Sequence, residues 1–230
     1  PAKIAVLKSA NPLRLAMARG YGADIRIAEN GPEGFAMVDR LVKEEGLTFI
    51  HPFDGPNVAR GTGTLGAEIA DDVPDLDAVV VAVGGGGLAS GMARAIKGLR
   101  PTCKVYGVEP VGAPSMRRSF DEGAPVKLER IDTIADSLAP PMSLPYSYEL
   151  ARAHMDDIVL VDDDAMCAGL ALLQAEARLA VEPAPAAAIA AAMGPLRERL
   201  AGKRVALVIC GANIDAATYG RLLARGQGAL

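Results

Sequence analysis

The sequence has no tryptophan and only four phenylalanines and five tyrosines in 230 residues. That leaves too few aromatic faces for a base-stacking platform. There is no basic cluster, and 24 Lys and Arg against 28 Asp and Glu give a net charge of −4. The electrostatic footprint of a nucleic-acid binder is therefore missing. No apolar run reaches about 18 residues, so no membrane span is expected. Cysteine is scarce: Cys103, Cys167 and Cys210 lie far apart without metal-ligand spacing. This excludes a disulfide framework and suits a reducing, cytoplasmic compartment. His51 and His154 are too few and too separated for a metal cluster. An initiating methionine is also lacking. The chain starts at Pro1 without a signal-like segment and enters strand-like residues 3–7 almost at once. We expect it to be the larger C-terminal portion of a longer protein.

Half the residues are hydrophobic, enough for one large or two small domains. Residues 3–7 read as a strand, and Asn11-Pro12 as an N-cap with proline in the first helical turn. A helix follows to Gly22, then a strand over 23–27, a helix from Pro32 closed by Gly46, and a third strand over 47–50. This is a small β-α-β-α-β unit. His51-Pro52-Phe53-Asp54-Gly55-Pro56 is a loop and a candidate domain crossing, with His51 as a structural loop residue or a catalytic base. The boundary is placed at 1–54 and 55–230. Residues 60–69 read as a helix whose small side chains at 61, 63, 66 and 67 allow close approach of another backbone or of a ligand. Further on, a strand over 104–109, a short helix within 111–123, a proline-rich loop over 124–145, a helix over 147–155 and a strand over 158–161 are expected. Asp162-Asp163-Asp164 reads as a cap for a helix running to Leu179. Glu182-Pro183 opens an alanine-rich helix to Met193, and 204–209 is a second fully apolar strand ending at Cys210.

The densest signal is Ala78-Val79-Val80-Val81-Ala82-Val83 running into Gly84-Gly85-Gly86-Gly87 and then Leu88. An unbroken β-branched run reads as a parallel strand buried on both faces. The glycines remove every Cβ from one spot at the start of a helix, where free N–H groups and the helix dipole favour a phosphate. Ligands of open α/β sheets lie beyond the carboxyl ends of strands, so the ends at Gly84 and Cys210 are candidates to share one site. Gly84-x-Gly86-x-x-Ala89, with Glu109 twenty residues on, also satisfies the dinucleotide fingerprint. That fingerprint normally follows the first strand of its domain, and here several elements precede it.

Val83-Gly84-Gly85-Gly86-Gly87-Leu88-Ala89-Ser90-Gly91 resembles the cofactor loop of the fold type II pyridoxal-phosphate enzymes, in particular the threonine/serine dehydratases and serine racemases. In family order, His51-Pro52-Phe53-Asp54, residues 61–69, Gly107-Val108-Glu109-Pro110, Thr133-Ile134-Ala135-Asp136, Glu182-Pro183 and Cys210-Gly211-Ala212-Asn213 also look like its signatures. The resemblance covers essentially the whole chain. It implies a tryptophan-synthase-β-like α/β fold with a three-layer parallel sheet, present here in part, and pyridoxal 5'-phosphate as cofactor.

By this resemblance the N–H groups of Gly84, Gly85, Gly86, Gly87 and Leu88 hold the phosphate, Cys210 faces the pyridine nitrogen, and Glu182 lies near ring and substrate. A thiol is a weak neutral donor there, which suits β-elimination. Glu109 matches the start of a cation site whose second carboxylate falls six residues later. Here that position is Ser115, so no metal is expected. The Schiff-base lysine and the Ser-Gly-Asn-His segment of the family are absent, and Lys3 and Lys8 are not in the lysine's motif. The implied parent activity is dehydration and deamination of L-threonine or L-serine to a 2-oxo acid and ammonia, in a homodimer, with this chain alone inactive. A serine racemase-type enzyme and a non-catalytic cofactor or phosphate binder are the alternatives, with an NAD binder behind them.

Overall fold

The computed structural model of the chain describes residues 2–8, 10 and 12–228. It divides into two compact units, one of residues 1–50 with 213–215 and one of residues 51–212 with 216–230. The turn at residues 51–54 goes with the larger unit.

The smaller unit pairs β1 (Lys3–Leu7) in parallel with β2 (Asp24–Ala28), Lys3 opposite Asp24 and Leu7 opposite Ala28. Helix α1 (Pro12–Gly20) connects them, and α2 (Gly31–Glu45) follows. The Asn11 cap lies outside the described residues. Helix α2 starts where its chemistry says it should. Asn30 accepts from the Glu33 N–H, the Glu33 carboxylate accepts from the Glu29 N–H, and Gly46 closes the helix at φ 65°. The strand expected over residues 47–50 does not form. A strand needs a ladder partner, and none is offered to these residues among those described.

The larger unit holds α3 (Pro56–Asp72), β3 (Ala78–Ala82), α4 (Gly87–Leu99), β4 (Lys104–Pro110), α5 (Ser115–Glu122), α6 (Pro145–His154), β5 (Asp157–Val161), α7 (Asp163–Leu172), α8 (Pro183–Met193), α9 (Arg197–Leu200), β6 (Val205–Leu207) and α10 (Ala216–Gln227). Its strands form one parallel sheet in the order β5-β4-β3-β6. The uninterrupted run of β3 is explained by two cores. Val79, Val81 and Val83 pack on one face with Met92 and Ile96 of α4, while Val80 and Ala82 pack on the other with Ala187, Ala188 and Ala191 of α8. This is a three-layer α/β fold. Each fully buried valine contributes about 1.5–3 kcal/mol of transfer free energy.

Small residues set the helix spacing. A Cβ at Gly66 of α3 would lie 2.5 Å from the Met92 carbonyl oxygen of α4. The small residues of α3 thus let it press against α4. On the opposite face, a Cβ at Gly169 of α7 would lie 2.6 Å from the Ala186 carbonyl oxygen of α8.

Three features differ from the pattern-based reading. The helix expected to reach Leu179 stops at Leu172, continues as one wide turn over Leu173–Ala177, and ends at Arg178 with φ 58°. The strand expected over 204–209 is short because β6 is an edge strand paired only to β3. Helix α10 has no counterpart in that reading. Its Tyr219, Leu222 and Leu223 pack against Leu170 and Leu173.

Candidate functional site

The ladder of β3 ends with the Val83 N–H donating to the Val108 carbonyl at 2.8 Å. Beyond it the backbone N–H groups of Gly84, Gly85, Gly86, Gly87 and Leu88 find no acceptor among the described residues. Two causes produce this. Residues 84–86 are bends that belong to no ladder, and the first N–H groups of any helix, here α4, have no intrahelical partner. Gly86, the N-cap, has φ 88°, a conformation only glycine takes without strain, and it brings no capping side chain. The donors therefore remain free beside the positive end of a 13-residue helix.

The glycines are enforced by close neighbours. A Cβ at Gly84 would lie 2.7 Å from the Ser137 carbonyl oxygen, one at Gly85 would lie 2.1 Å from the Phe53 ring, and one at Gly87 would lie 2.5 Å from the Phe53 carbonyl oxygen. Thr62 of α3 donates its hydroxyl to the Gly87 carbonyl at 2.8 Å, fixing the loop from behind.

Next to β3 in the sheet, β6 delivers Cys210, and the N-cap of α8 delivers Glu182. Glu182 is buried, and its Oε1 accepts from the Ser137 hydroxyl at 2.7 Å. The Glu182 N–H donates to the Gly211 carbonyl at 3.3 Å. A cavity of about 220 Å³ joins both strand ends and is lined by the glycine loop, Leu88, Phe53, Ser137, Leu138, Glu182 and Cys210, among others. No Lys or Arg lines it among the described residues, so an anion there meets backbone dipoles rather than a cation. The Cys210 thiol is exposed, and desolvation followed by the Glu182 carboxylate pushes it above the ordinary thiol value. It is a neutral thiol near pH 7.

These atoms fit pyridoxal phosphate. The free N–H set and helix end suit a dianionic phosphate. The cradle is one that any side chain would fill, and the neutral thiol can face a neutral ring nitrogen. Gly84, Gly85, Gly86, Gly87, Leu88, Glu182 and Cys210 thus come together around one cavity.

Other candidates lie elsewhere. Glu109 is fully buried at the end of β4, and its two oxygens accept from the N–H groups of Met116 (2.9 Å) and Arg117 (2.7 Å) at the start of α5. Burial pushes its carboxyl up to about 8, against those donors. Glu109 thus faces the start of α5 and is not among the residues that line the cavity, so it does not join the glycine loop in the way the fingerprint reading expects. Among the described residues no three His, Cys, Asp or Glu side chains gather around a point. The acidic triplet divides its work: Asp162 caps α7 through the Ala165 N–H (2.7 Å), Asp163 accepts from Thr133, and Asp164 pairs with Arg225. Lys3 is paired with Glu45 and Lys8 with Glu29. No helix among the described residues is long and apolar enough to cross a membrane.

Pattern reading missed Phe53, Ser137 and Leu138 as cavity residues. Ser137 directly follows the Thr133–Asp136 signature within a long loop, a position that signals function when connections are otherwise short.

The sequence matches the family described as pyridoxal-phosphate dependent enzyme over residues 1–211. Phenylserine dehydratase of Ralstonia pickettii is 49% identical over 226 residues, covering 98% of this chain and 69% of the relative. L-threonine ammonia-lyase of Thermotoga maritima is 35% identical, covering 98% of this chain and 56% of the relative. The structure of maize serine racemase superposes with a TM-score of 0.90 at 26% identity, covering all of this chain and 71% of that one. The chain thus spans only part of each. It belongs to the pyridoxal-phosphate dependent enzyme family and shares the fold type II architecture.

Proposed function

We propose that this member of the pyridoxal-phosphate dependent enzymes is the cofactor-holding portion of an ammonia-lyase for β-hydroxy-α-amino acids, of the class of L-threonine, L-serine and 3-phenylserine. One observation carries it: five residues at the start of α4, whose N–H groups have no acceptor among the described residues, line a cavity that Cys210 and Glu182 line too. The ammonia-lyase assignment draws on the dehydratase and ammonia-lyase relatives, one of them 49% identical.

When bound, pyridoxal phosphate supplies an electron-accepting ring that acidifies the α-carbon and allows a β-hydroxyl to depart. The chain's own residues bind and orient it. Residues 84–88 bind the phosphate, each donor to a charged acceptor contributing about 1.5–3 kcal/mol. Cys210 offers the ring nitrogen a weak neutral donor and leaves it largely unprotonated. A neutral donor at that place, rather than a carboxylate, would suit β-elimination. Glu182 holds its carboxylate at the cavity wall through Ser137. Phe53 and Leu138 supply apolar walls. The amine that would receive the cofactor aldehyde is not assigned to Lys3 or Lys8, whose ion pairs engage them in the smaller unit.

The test has two stages. Titration of the chain with pyridoxal phosphate and with NAD, followed by thermal shift, is expected to respond to the first ligand only. The protein isolated from its natural source is then assayed for 2-oxo acid and ammonia from L-threonine, L-serine and threo-3-phenylserine. Tight cofactor binding without turnover would make it a binding protein. The likeness to serine racemase supports a racemase as the second reading, and chiral analysis of recovered serine separates the two.

A further inference from the structure

The turn before α3 contains a local arrangement that the proposed chemistry does not use. The His51 Nδ1 accepts from the Phe53 N–H at 3.2 Å and from the Asp54 N–H at 2.8 Å. An acceptor serving the second and third N–H groups downstream is how an Asn or Asp side chain builds a turn. Here an imidazole does it, with Pro52 fixing φ between them. A nitrogen that accepts two N–H groups carries no proton, so the ring is neutral and its hydrogen sits on Nε2. The His51 and Phe53 rings meet edge to face, with centroids 4.9 Å apart and planes at 87°.

What the turn presents is the Phe53 ring, packed where a Cβ of Gly85 would otherwise lie. Its backbone carbonyl fills the corresponding place at Gly87 and accepts from the Ser147 hydroxyl at 2.7 Å. Asp54 completes the lock. Helix α6 has Leu144 at its N-cap, which offers no side-chain acceptor, and the Asp54 carboxylate takes that role by accepting from the Ser147 N–H at 2.8 Å. The turn therefore couples α6 to the loop that carries the free donors.

We propose that His51 is a positioning residue for the phosphate end of the site: as a neutral double acceptor it holds the turn that seats Phe53 against the glycine loop. The inference rests on residues 84–88 being the phosphate cradle. Protonating Nδ1 replaces two acceptor contacts by a donor facing two donors, so the turn opens and the cradle loses its backing. Two opposing effects bear on the pH at which this happens. Desolvation lowers the imidazole below its ordinary value, and the Asp54 carboxylate opposes that shift. The folded turn is thus favoured above the ordinary histidine range and lost as pH falls through the lowered value.

The experiment measures pyridoxal phosphate affinity by titration between about pH 8 and about pH 5.5 in the wild type, His51→Asn and His51→Ala. Asparagine can accept the same two N–H groups without titrating. His51→Asn is expected to bind within about threefold of wild type at the upper pH and to lose affinity less steeply on acidification, while His51→Ala is expected to be at least roughly tenfold weaker at the upper pH and to converge with wild type as the wild-type imidazole protonates. The phosphate's own second ionisation affects all three proteins equally, so only the difference between profiles is read. A His51→Asn profile parallel to wild type overturns the proposal and leaves the cradle standing. Failure of the wild type to bind the cofactor at the upper pH overturns both. As a readout on unmodified protein, ¹⁵N shifts of the His51 ring are expected to show a pyridine-like Nδ1 at neutral pH, and a pyrrole-like Nδ1 refutes the geometry.

Discussion

Replacing Gly87 by alanine puts the cradle to a quantitative test. The new Cβ would stand 2.5 Å from the Phe53 carbonyl oxygen, 2.8 Å from its Cα and 2.9 Å from its carbonyl carbon. All three are backbone atoms, and that carbonyl is held by the Ser147 hydroxyl, so the strain has no flexible side chain to absorb it. Overpacking of this kind costs about 1–3 kcal/mol. Alanine also gains up to about 1 kcal/mol over glycine in a helix, which would mask part of the loss. Gly98, in the same helix, is the control, since a Cβ there meets nothing within 4 Å. The propensity gain largely cancels between the two variants, so the difference isolates the clash. At roughly 2–4 °C per kcal/mol for a chain of this size, Gly87→Ala is expected to melt about 2–12 °C below Gly98→Ala. A shift that misdirects one donor to a charged acceptor removes about 1.5–3 kcal/mol, so pyridoxal phosphate affinity is expected to fall by roughly 10- to 150-fold. Circular dichroism melts and calorimetric titration read the two effects. Equal melting and equal affinity in the two variants would refute both the packing and the cradle.

Glu109 predicts a pH dependence of stability. Because burial raises its carboxyl to about 8, the folded chain holds a proton that the unfolded chain has released, from the ordinary carboxylate range up to that value. Its contribution to stability is full below that range and declines as pH rises, by at most about 1.4 kcal/mol per pH unit. Urea unfolding of Glu109→Gln, which cannot titrate, is expected to show a flatter profile, and parallel slopes would refute the assignment. Cys210 is exposed whereas Cys103 and Cys167 are buried, so peptide mapping after iodoacetamide is expected to find Cys210 alkylated first, with bound pyridoxal phosphate protecting it. Glu182→Gln removes the carboxylate that pushes this thiol up, and the alkylation rate at neutral pH should increase; an unchanged rate denies the coupling. Asp162→Ala removes the cap on the Ala165 N–H and is expected to cost about 1 kcal/mol in chemical denaturation, with no change in cofactor affinity.

Local signals were strong enough to place most elements. Valine-rich β3 could only be a doubly buried strand, and Pro32 and Gly46 marked the two ends of α2, whose Asn30 cap the structure adds. Where pattern and structure part, a non-local partner decides. Residues 47–50 have strand composition but no ladder. The wide turn at Leu173–Ala177 leaves apolar periodicity intact while breaking the helix, and Arg178 in a left-handed conformation bears no glycine to announce it. Helix α10 was legible but unread: Tyr219, Leu222 and Leu223 fall at i, i+3 and i+4, the spacing of one helical face, and they find their partners on α7 and the segment after it.

The four consecutive glycines have a physical account beyond the approach of a phosphate. Each has its own reason to lack a side chain: the Ser137 carbonyl at Gly84, the Phe53 ring at Gly85, a positive φ at Gly86 and the Phe53 backbone at Gly87. The neighbours come from residues 53 and 137, one well before the loop in sequence and one well after, so no local pattern could name them. Yet these same contacts give the cavity its walls, because a chain that presses on a glycine loop from both sides must border whatever space the loop encloses. A four-glycine run at a strand end therefore marks a place where other segments converge. The entropy cost of those glycines, of order 0.5–1 kcal/mol each, is offset by packing as well as by ligand. On that view Phe53 and Ser137 belong to the site for the same reason the glycines do.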